Sequence, residues 1–522
     1  MKDKMLKIAQ HLFALAAVMA STTAFGQPND FAEQLILSNE EQFTRIFPVG
    51  VDNSKLMEKI ERSVHLLTAA IERKLPTDAA DEAKDELAKQ QANAAVVLLR
   101  MNQPAKVWPL LKHSPDPSAR SYLIHRMGPL GVDAKIIIKR LEVEPDITIR
   151  RALVLSLGEF DDNAVPLEDR TALIPKLQEM YRTDADPGLH AAAEWLLRKW
   201  KQEDWLKQVN EEWAKDKSRR EKRLEGIQQL LSKDKEKTPP QWYVNGQGQT
   251  MVVIPGPVEF MMGSPTTEVG RFDSETQHKR RIGRMFAIAA ASVTVEQYGQ
   301  FEKDYSLPAE YTQLPNLPAA FIDWYRGARY ANWLSEQEGL PADQWCYEIT
   351  GDQIKLKASY LSLSGYRLPT EAEMEYAARA GALTGRYFEE TDELLSKYAW
   401  HSKNSNEKIW PVGNLKPNDL GLFDVQGIVW TWCQESFKDY PQGVEAEEDQ
   451  EDGLEIVHTT GRVLRGGSFL NQSSILRSAY RTNFVPTPRS LTLGFRLART
   501  LPVAPHSDLP NPQKGENEKM DK

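Results

Sequence analysis

The chain has 522 residues, of which 41% are hydrophobic and 27% charged, ordinary proportions for a globular protein with room for several domains. Its net charge of −9 argues against a general nucleic-acid binder, which needs a cationic face against phosphate. Beyond the N-terminus no run approaches the roughly 18–20 apolar residues of a membrane span.

Residues 1–26 read as a secretory signal. Lys2, Lys4 and Lys7 make a positive start, Leu12 to Ala20 is apolar, and Ala24-Phe-Gly26 offers small residues before a cleavage site at Gln27. The mature protein is then expected to be periplasmic or secreted. An amphipathic helix at the start of a cytoplasmic protein is the competing reading. No Cys follows the apolar core, which speaks against a bacterial lipoprotein anchor. Cys346 and Cys433 are the only cysteines. They could form one disulfide after export or remain two buried thiols.

Residues 30–215 read as helical. Ala88 to Leu99 contains helix formers throughout, with apolar residues three and four apart. Asp116-Pro-Ser-Ala-Arg120, Asp146-Ile-Thr-Ile-Arg150 and Asp186-Pro-Gly-Leu-His190 each precede an apolar helical run. An Asp there can accept the first free backbone N–H groups of a helix, and Pro fits the first turn. The starts lie 30 and then 40 residues apart, a spacing that resembles HEAT-type helical repeats. A plain irregular helical domain would give much the same pattern. Trp195 and Trp200 close this part as docking or core residues. Residues 216–242 carry mixed-sign charge on a helical pattern, expected of a solvated helical linker, and Thr238-Pro-Pro240 ends the helix.

From residue 243 to 500 the composition changes. Short strand-like runs such as Met251-Val-Val-Ile254 and Val258-Glu-Phe-Met-Met262 alternate with turn residues. Helical patterns remain at Trp324 to Glu338 and Thr370 to Ala380. The expected class is α+β with many loops. Residues 501–522, rich in Pro, Asn and Lys, are expected to be a disordered tail.

Four blocks stand out in order: Met251–Pro265 with Val293-Thr-Val-Glu-Gln-Tyr298; Asp323 to Ser335; Gly365-Tyr-Arg-Leu-Pro-Thr-Glu371 onward to Gly381; and Trp410 through Trp430-Thr-Trp-Cys433 to Arg465-Gly-Gly-Ser-Phe469, Leu476-Arg-Ser-Ala-Tyr-Arg481 and Gly494-Phe-Arg496. Together, over about residues 245–500, they resemble the formylglycine-generating enzyme domain, also called the sulfatase-modifying-factor domain. The resemblance implies a mixed α+β fold related to C-type lectins. The whole chain is thus expected to be multidomain: all-α HEAT-like repeats followed by this α+β domain. Thr370 is expected to cap a helix that Glu371 and Glu373 favour at its positive end. Arg367, Arg379 and Arg496 are expected to tie loops together, and Gly466 and Gly467 to take conformations closed to other residues.

In the oxidases of that family two cysteines follow the Gly-Gly-Ser element and bind copper. The matching positions here are Asn471 and Leu476. An amide and an alkyl group cannot supply the soft thiolates that Cu(I) needs, so copper is not expected. Calcium-binding relatives carry Asn and Glu ligands where this chain has Ile428 and Thr431, in Gly427-Ile-Val-Trp-Thr-Trp432, which weakens a calcium site. Gln426, Ala331, Ala378 and Met374 are further departures from the residues usual in relatives. None of the nine histidines forms a close pair of the kind an added iron domain or a zinc protease would use. Ser468 lacks the Gly-x-Ser-x-Gly elbow of a nucleophile.

No catalytic residue, metal ligand or cofactor is therefore assigned. Trp430, Asn471, Arg477, Tyr480 and Arg481 are the groove candidates, with a protein, peptide or glycan as ligand. Core packing is the rival role for Trp430 and Tyr480. The leading expectation is a non-oxidase binding module of the envelope or exterior. A formylglycine-type oxidase, or a related metal-dependent oxidoreductase acting on a protein or small thiol, is the alternative; a structural part of an envelope assembly is a third reading.

Overall fold

The computed structural model describes residues 30–76, 78–233, 239–441 and 445–502. The expected signal at 1–26 lies outside them, as does the expected tail beyond residue 502. Among the described residues the N-terminal region holds twelve α-helices: α1 (Phe31–Leu37), α2 (Glu40–Ile46), α3 (Ser54–Glu61), α4 (Val64–Glu72), α5 (Asp81–Arg100), α6 (Ser118–Met127), α7 (Ala134–Val143), α8 (Ile147–Leu157), α9 (Leu167–Thr183), α10 (Pro187–Lys199), α11 (Glu203–Lys215) and α12 (Lys217–Lys233). Among the described residues no helix is long and apolar enough to cross a membrane.

The aspartates seen in the sequence start these helices. Asp146 accepts N–H bonds from Thr148 and Ile149, and Asp186 accepts one from Leu189. Asp116 lies one residue before the cap of α6 and accepts from Ser118 N–H. The three helices so begun form a row, with α6 against α8 and α8 against α10, while α7 and α9 pack beside them.

The C-terminal part contains β1 (Gln241–Val244), β2 (Thr250–Ile254), β3 (Val258–Met262), β4 (His278–Ile282), β5 (Phe286–Ala289), β6 (Tyr347–Thr350), β7 (Gln353–Leu356), β8 (Tyr366–Arg367), β9 (Trp430–Ser436), β10 (Glu447–Glu448), β11 (Arg462–Arg465), β12 (Arg481–Phe484), β13 (Leu493–Gly494) and β14 (Ala498–Thr500), with α13 (Val295–Phe301), α14 (Trp324–Gln337) and α15 (Glu371–Arg379). An antiparallel sheet runs β1-β2-β5-β14-β8. A second runs β12-β11-β9-β13, a third β10-β4-β3, and β6 pairs with β7. Most strands are short and much of the backbone is irregular, so side chains must satisfy many buried carbonyl and N–H groups.

The row α6-α8-α10 does not stand free. Asp419 of the C-terminal part accepts from Arg120 Nη1 at 2.8 Å, lies 2.6 Å from His113 Nδ1, and has Arg151 at 3.8 Å. Burial works against its charge, yet Arg120, His113 and Arg151 hold the carboxyl well below the usual range. Lys416 pairs with Glu159 and sits 4.6 Å from the ring of Trp195, whose indole donates to the Asn414 carbonyl. Trp195 and Leu196 share an apolar core with Tyr398, Leu422 and Phe423. Along this row the helical half is thus covered by the C-terminal part.

The expected solvated linker also differs. Ile227 and Leu231 of α12, one helical turn apart, are buried in a core with Tyr243 and Leu501. The run of charge in the sequence hid this apolar pair, which is enough to dock a helix.

Asp419→Ala would leave the buried Arg120 without its carboxylate, while Arg151 keeps Asp186. It is expected to destabilise the protein by about 3 kcal/mol, the scale for breaking a buried pair, read by urea unfolding followed by tryptophan fluorescence. A second contact between the halves makes stability depend on pH. Glu389 lies within 3.4 Å of the Tyr122 hydroxyl, which also donates to Asp85. Burial, joined by the Asp85 charge, pushes the Glu389 carboxyl up to about 8. A carboxyl raised in the fold stabilises fully below its unfolded value, near 4.3, and the gain is lost as pH rises through the folded value. Stability should therefore fall between pH 5 and about 8, and Glu389→Gln should flatten the midpoint-versus-pH curve over that range.

Candidate functional site

The segment that follows β11 carries the groove candidates. Gly466 and Gly467 both have positive φ, +92° and +78°. At Gly466 a Cβ would come within 2.9 Å of the Val425 carbonyl oxygen, so the chain passes there only as glycine. Ser468 then donates through both its N–H and its hydroxyl to Asn471 Oδ1, each at 2.8 Å. Asn471 closes the turn by donating its N–H to the Ser468 carbonyl, and its own carbonyl accepts from Ser402. Its amide oxygen is thus occupied in holding a loop. Leu476 is fully buried in the apolar core.

Arg477 and Arg481, expected as groove residues, are buried and bonded within the protein. All five N–H groups of Arg477 are engaged: Nε with the Ser474 carbonyl at 2.9 Å, Nη1 with Glu268 and with Glu275 at 2.8 Å, and Nη2 with Glu275 at 2.9 Å and the Gly270 carbonyl at 2.8 Å. Arg481 forms a bidentate pair with Glu371 at 2.7 and 2.8 Å, donates to the Ser274 and Lys438 carbonyls, and stacks 3.9 Å from the ring of Tyr440. Arg477 thus has no donor left for a ligand, and Arg481 has four of its five engaged.

Trp430 is 7% exposed and belongs to the core with Trp324 and Trp432. Tyr480 is half-buried, 5.9 Å from the Trp430 ring and 5.6 Å, edge-on, from Phe272. Phe272 is 53% exposed and Val269, in the same loop, 78% exposed. These two apolar side chains were missed in the sequence, because nothing in a Gly-containing loop signals that it folds over a tyrosine some 200 residues later. The five candidates thus divide: Tyr480 and Asn471 reach partly to the surface, while Trp430, Arg477 and Arg481 are interior.

The metal expectations can be tested on the same geometry. Cys346 and Cys433 are free thiols rather than the disulfide considered from sequence. The Cys346 thiol faces the Tyr360 and Gly365 carbonyls, and that of Cys433 faces the Thr431 carbonyl. Burial pushes Cys346 up to about 11, and Cys433 well up, with Glu435 and Glu371 adding to the effect. Neither offers a thiolate to copper, and Asn471 and Leu476 do not fit it. Ile428 lies in an apolar cluster with Val429 and Phe469, and Thr431 is buried within β9. The carboxylate left in that stretch, Asp424, accepts from the Gly413 N–H at 2.8 Å and is raised by burial to about 6. That donor set is poor in the hard, charged oxygens calcium requires. Among the described residues no three His, Cys, Asp or Glu side chains converge on a possible metal position.

A mixed α+β domain with arginine-clamped loops and a Gly-Gly-Ser turn defines the class. The family model of the sulfatase-modifying factor enzyme 1-like domain matches residues 235–501, and the chain belongs to that family. The formylglycine-generating enzyme of Streptomyces coelicolor is 31% identical over 286 residues, spanning 47% of this chain and 88% of that protein. The inactive C-alpha-formylglycine-generating enzyme 2 of Bos taurus is 28% identical over 301 residues, spanning 49% of this chain and 91% of its own length. Among solved structures, Treponema denticola variable protein 1 is 27% identical, covering 50% of this chain and 99% of that one at a TM-score of 0.41.

If Arg477 is a clamp, Arg477→Ala should cost about 3 kcal/mol of stability, because it strands two buried glutamates. Tyr480→Ala, at a half-exposed ring, should cost about 1 kcal/mol. Chemical denaturation of both variants checks the contrast; equal small losses would return Arg477 to the list of ligand contacts.

Proposed function

We propose that this protein is a non-oxidase member of its family, exported and working as a binding module for a protein, peptide or glycan. The observation that carries the reading is the pair Asn471 and Leu476 at the positions of the copper-binding cysteines. One is committed to a turn and the other to the core. The two cysteines the chain does have are buried in other surroundings with raised thiol pKa values. Without thiolates the family's cysteine oxidation has neither its metal ligands nor its attacking sulfur. A relative named as inactive supports a branch of the family that keeps the fold without the activity. Export rests on Lys2, Lys4, Lys7 and the apolar run that follows them. The partly exposed Tyr480, with Phe272 and Val269 beside it, supplies apolar contact area for a partner.

The test is a Cu(I) titration of the full chain against a chromogenic chelator, paired with an assay for aldehyde on a cysteine-containing peptide. The native protein is expected to compete for no copper and to form no aldehyde. Asn471→Cys with Leu476→Cys serves as the comparison. Copper competition gained by that double variant would show that the surroundings still accept the metal. Aldehyde formed by the native protein would overturn the proposal.

A further inference from the structure

Four arginines from the end of the helical region converge beside the first strand of the C-terminal sheet. Arg182 of α9 and Arg219, Arg220 and Arg223 of α12 line a small cavity of about 70 Å³ with Trp213 and Trp242. Arg220 has a carboxylate, Glu338, at 3.6 Å. Among the described residues the other three make no ion pair. Arg223 Nε donates to the Trp242 carbonyl at 3.0 Å, but its Nη2 is buried with no partner among the described residues. Trp213 is 4% exposed and its indole Nε1, also buried, finds no acceptor among the described residues.

Cation–π contacts explain only part of this. Arg223 stacks 4.4 Å from the Trp242 ring, Arg219 5.1 Å from Trp213, and Arg182 5.2 Å from Trp205. Stacking satisfies the faces of these guanidiniums and leaves their N–H edges unused. It does nothing for the indole N–H of Trp213. Burial lowers the Arg223 pKa, and the Arg219 charge lowers it further. Like charges are gathered, and buried donors are left open, on a chain whose net charge is −9. Such an arrangement is costly unless something negative completes it.

We propose that this cavity is an oxyanion site for a phosphate or sulfate group, free or as the terminal group of an ester. Arg223 Nη2 and Trp213 Nε1 would donate to its oxygens, and Arg219 and Arg182 would balance its charge. The volume exceeds what one water needs and is too small for a sugar or nucleotide, so any ester would keep the rest of its body outside. The site requires both halves of the protein: α9, α11 and α12 supply the donors, and β1 supplies the Trp242 wall. Bound anion would therefore also tie the sheet to the helices.

The experiment is isothermal titration of the full chain with inorganic phosphate and with sulfate, against chloride at matched ionic strength, with glycerol 3-phosphate as the ester. One site per chain for phosphate, sulfate or the ester, absent for chloride, is the expected result; the ester binding alone would identify the esterified source. Arg223→Gln should weaken binding about tenfold or more, the loss of a hydrogen bond to a charged group. Trp213→Phe keeps an aromatic ring for Arg219 and removes only the donor, so it should weaken binding by several-fold while leaving the circular dichroism spectrum unchanged. No heat beyond the chloride control with any of these anions would overturn the proposal. So would native-like phosphate affinity in both variants.

Discussion

Short helix α15 is the piece on which the C-terminal half depends. It presents Glu371 and Glu375 on one side and Glu373 on the other, as a helical period dictates. Glu373 takes a bidentate pair from Arg367 at 2.7 Å and a further pair from Arg284. Burial opposes its charge, but Arg367 and Arg284 bring its carboxyl down to about 2. Across the helix, Glu375 holds Arg379 and Arg465, and Glu371 holds Arg481. Three carboxylates on nine residues thereby fix β8, β11, β12 and the loop before β5. In a domain with such short strands, these charge-assisted bonds do the joining that long ladders do elsewhere. Arg496 shows the neutral version of the same device, donating to the carbonyls of Ala289, Ala290 and Phe423.

The junction between the halves repeats the logic with the signs divided between them. The helices bring Arg120, Arg151 and His113 to Asp419, and Glu159 to Lys416. Within the assembled protein, removing Asp419 or Lys416 would leave Arg120 or Glu159 as a desolvated charge short of its partner. Around them an aromatic stack runs from Tyr181 through His190 to Trp242, with ring centroids 4.2 and 3.8 Å apart. Charge pairs and stacked rings thus join the helices to the sheet.

Legibility followed the range of the interaction. The helix starts at Asp146 and Asp186, the cap at Thr370 and the glycine turn at 466–467 were readable, because each depends on a few neighbouring residues. Arg367, Arg379 and Arg496 were readable as ties, though their partners were not. The partners of Arg477 and Arg481 were not readable because Glu268, Glu275 and Glu371 lie 110 to 209 residues away in sequence. The same distance concealed the covering of α6, α8 and α10, whose apolar faces look alike whether they meet another repeat or a different domain. The docking of α12 was concealed by composition: two apolar residues in a run of charge carry its burial.

The clamps are separate from residues 471 and 476, so the fold is held without either position. None of the carboxylate–arginine pairs involves residue 471 or 476. Asn471 replaces a possible metal contact with a local one, its amide oxygen accepting twice from Ser468, and so stabilises the turn it inherits. Leu476 turns a polar position into apolar burial beside Gly467, where its methyl group lies 3.4 Å from the place a Cβ would take. Asn471 accepts two hydrogen bonds in the turn, and Leu476 fills an apolar position. Restoring the thiols would therefore trade a hydrogen-bonded turn and a filled core position for a metal site, and the scaffold around them would stay in place.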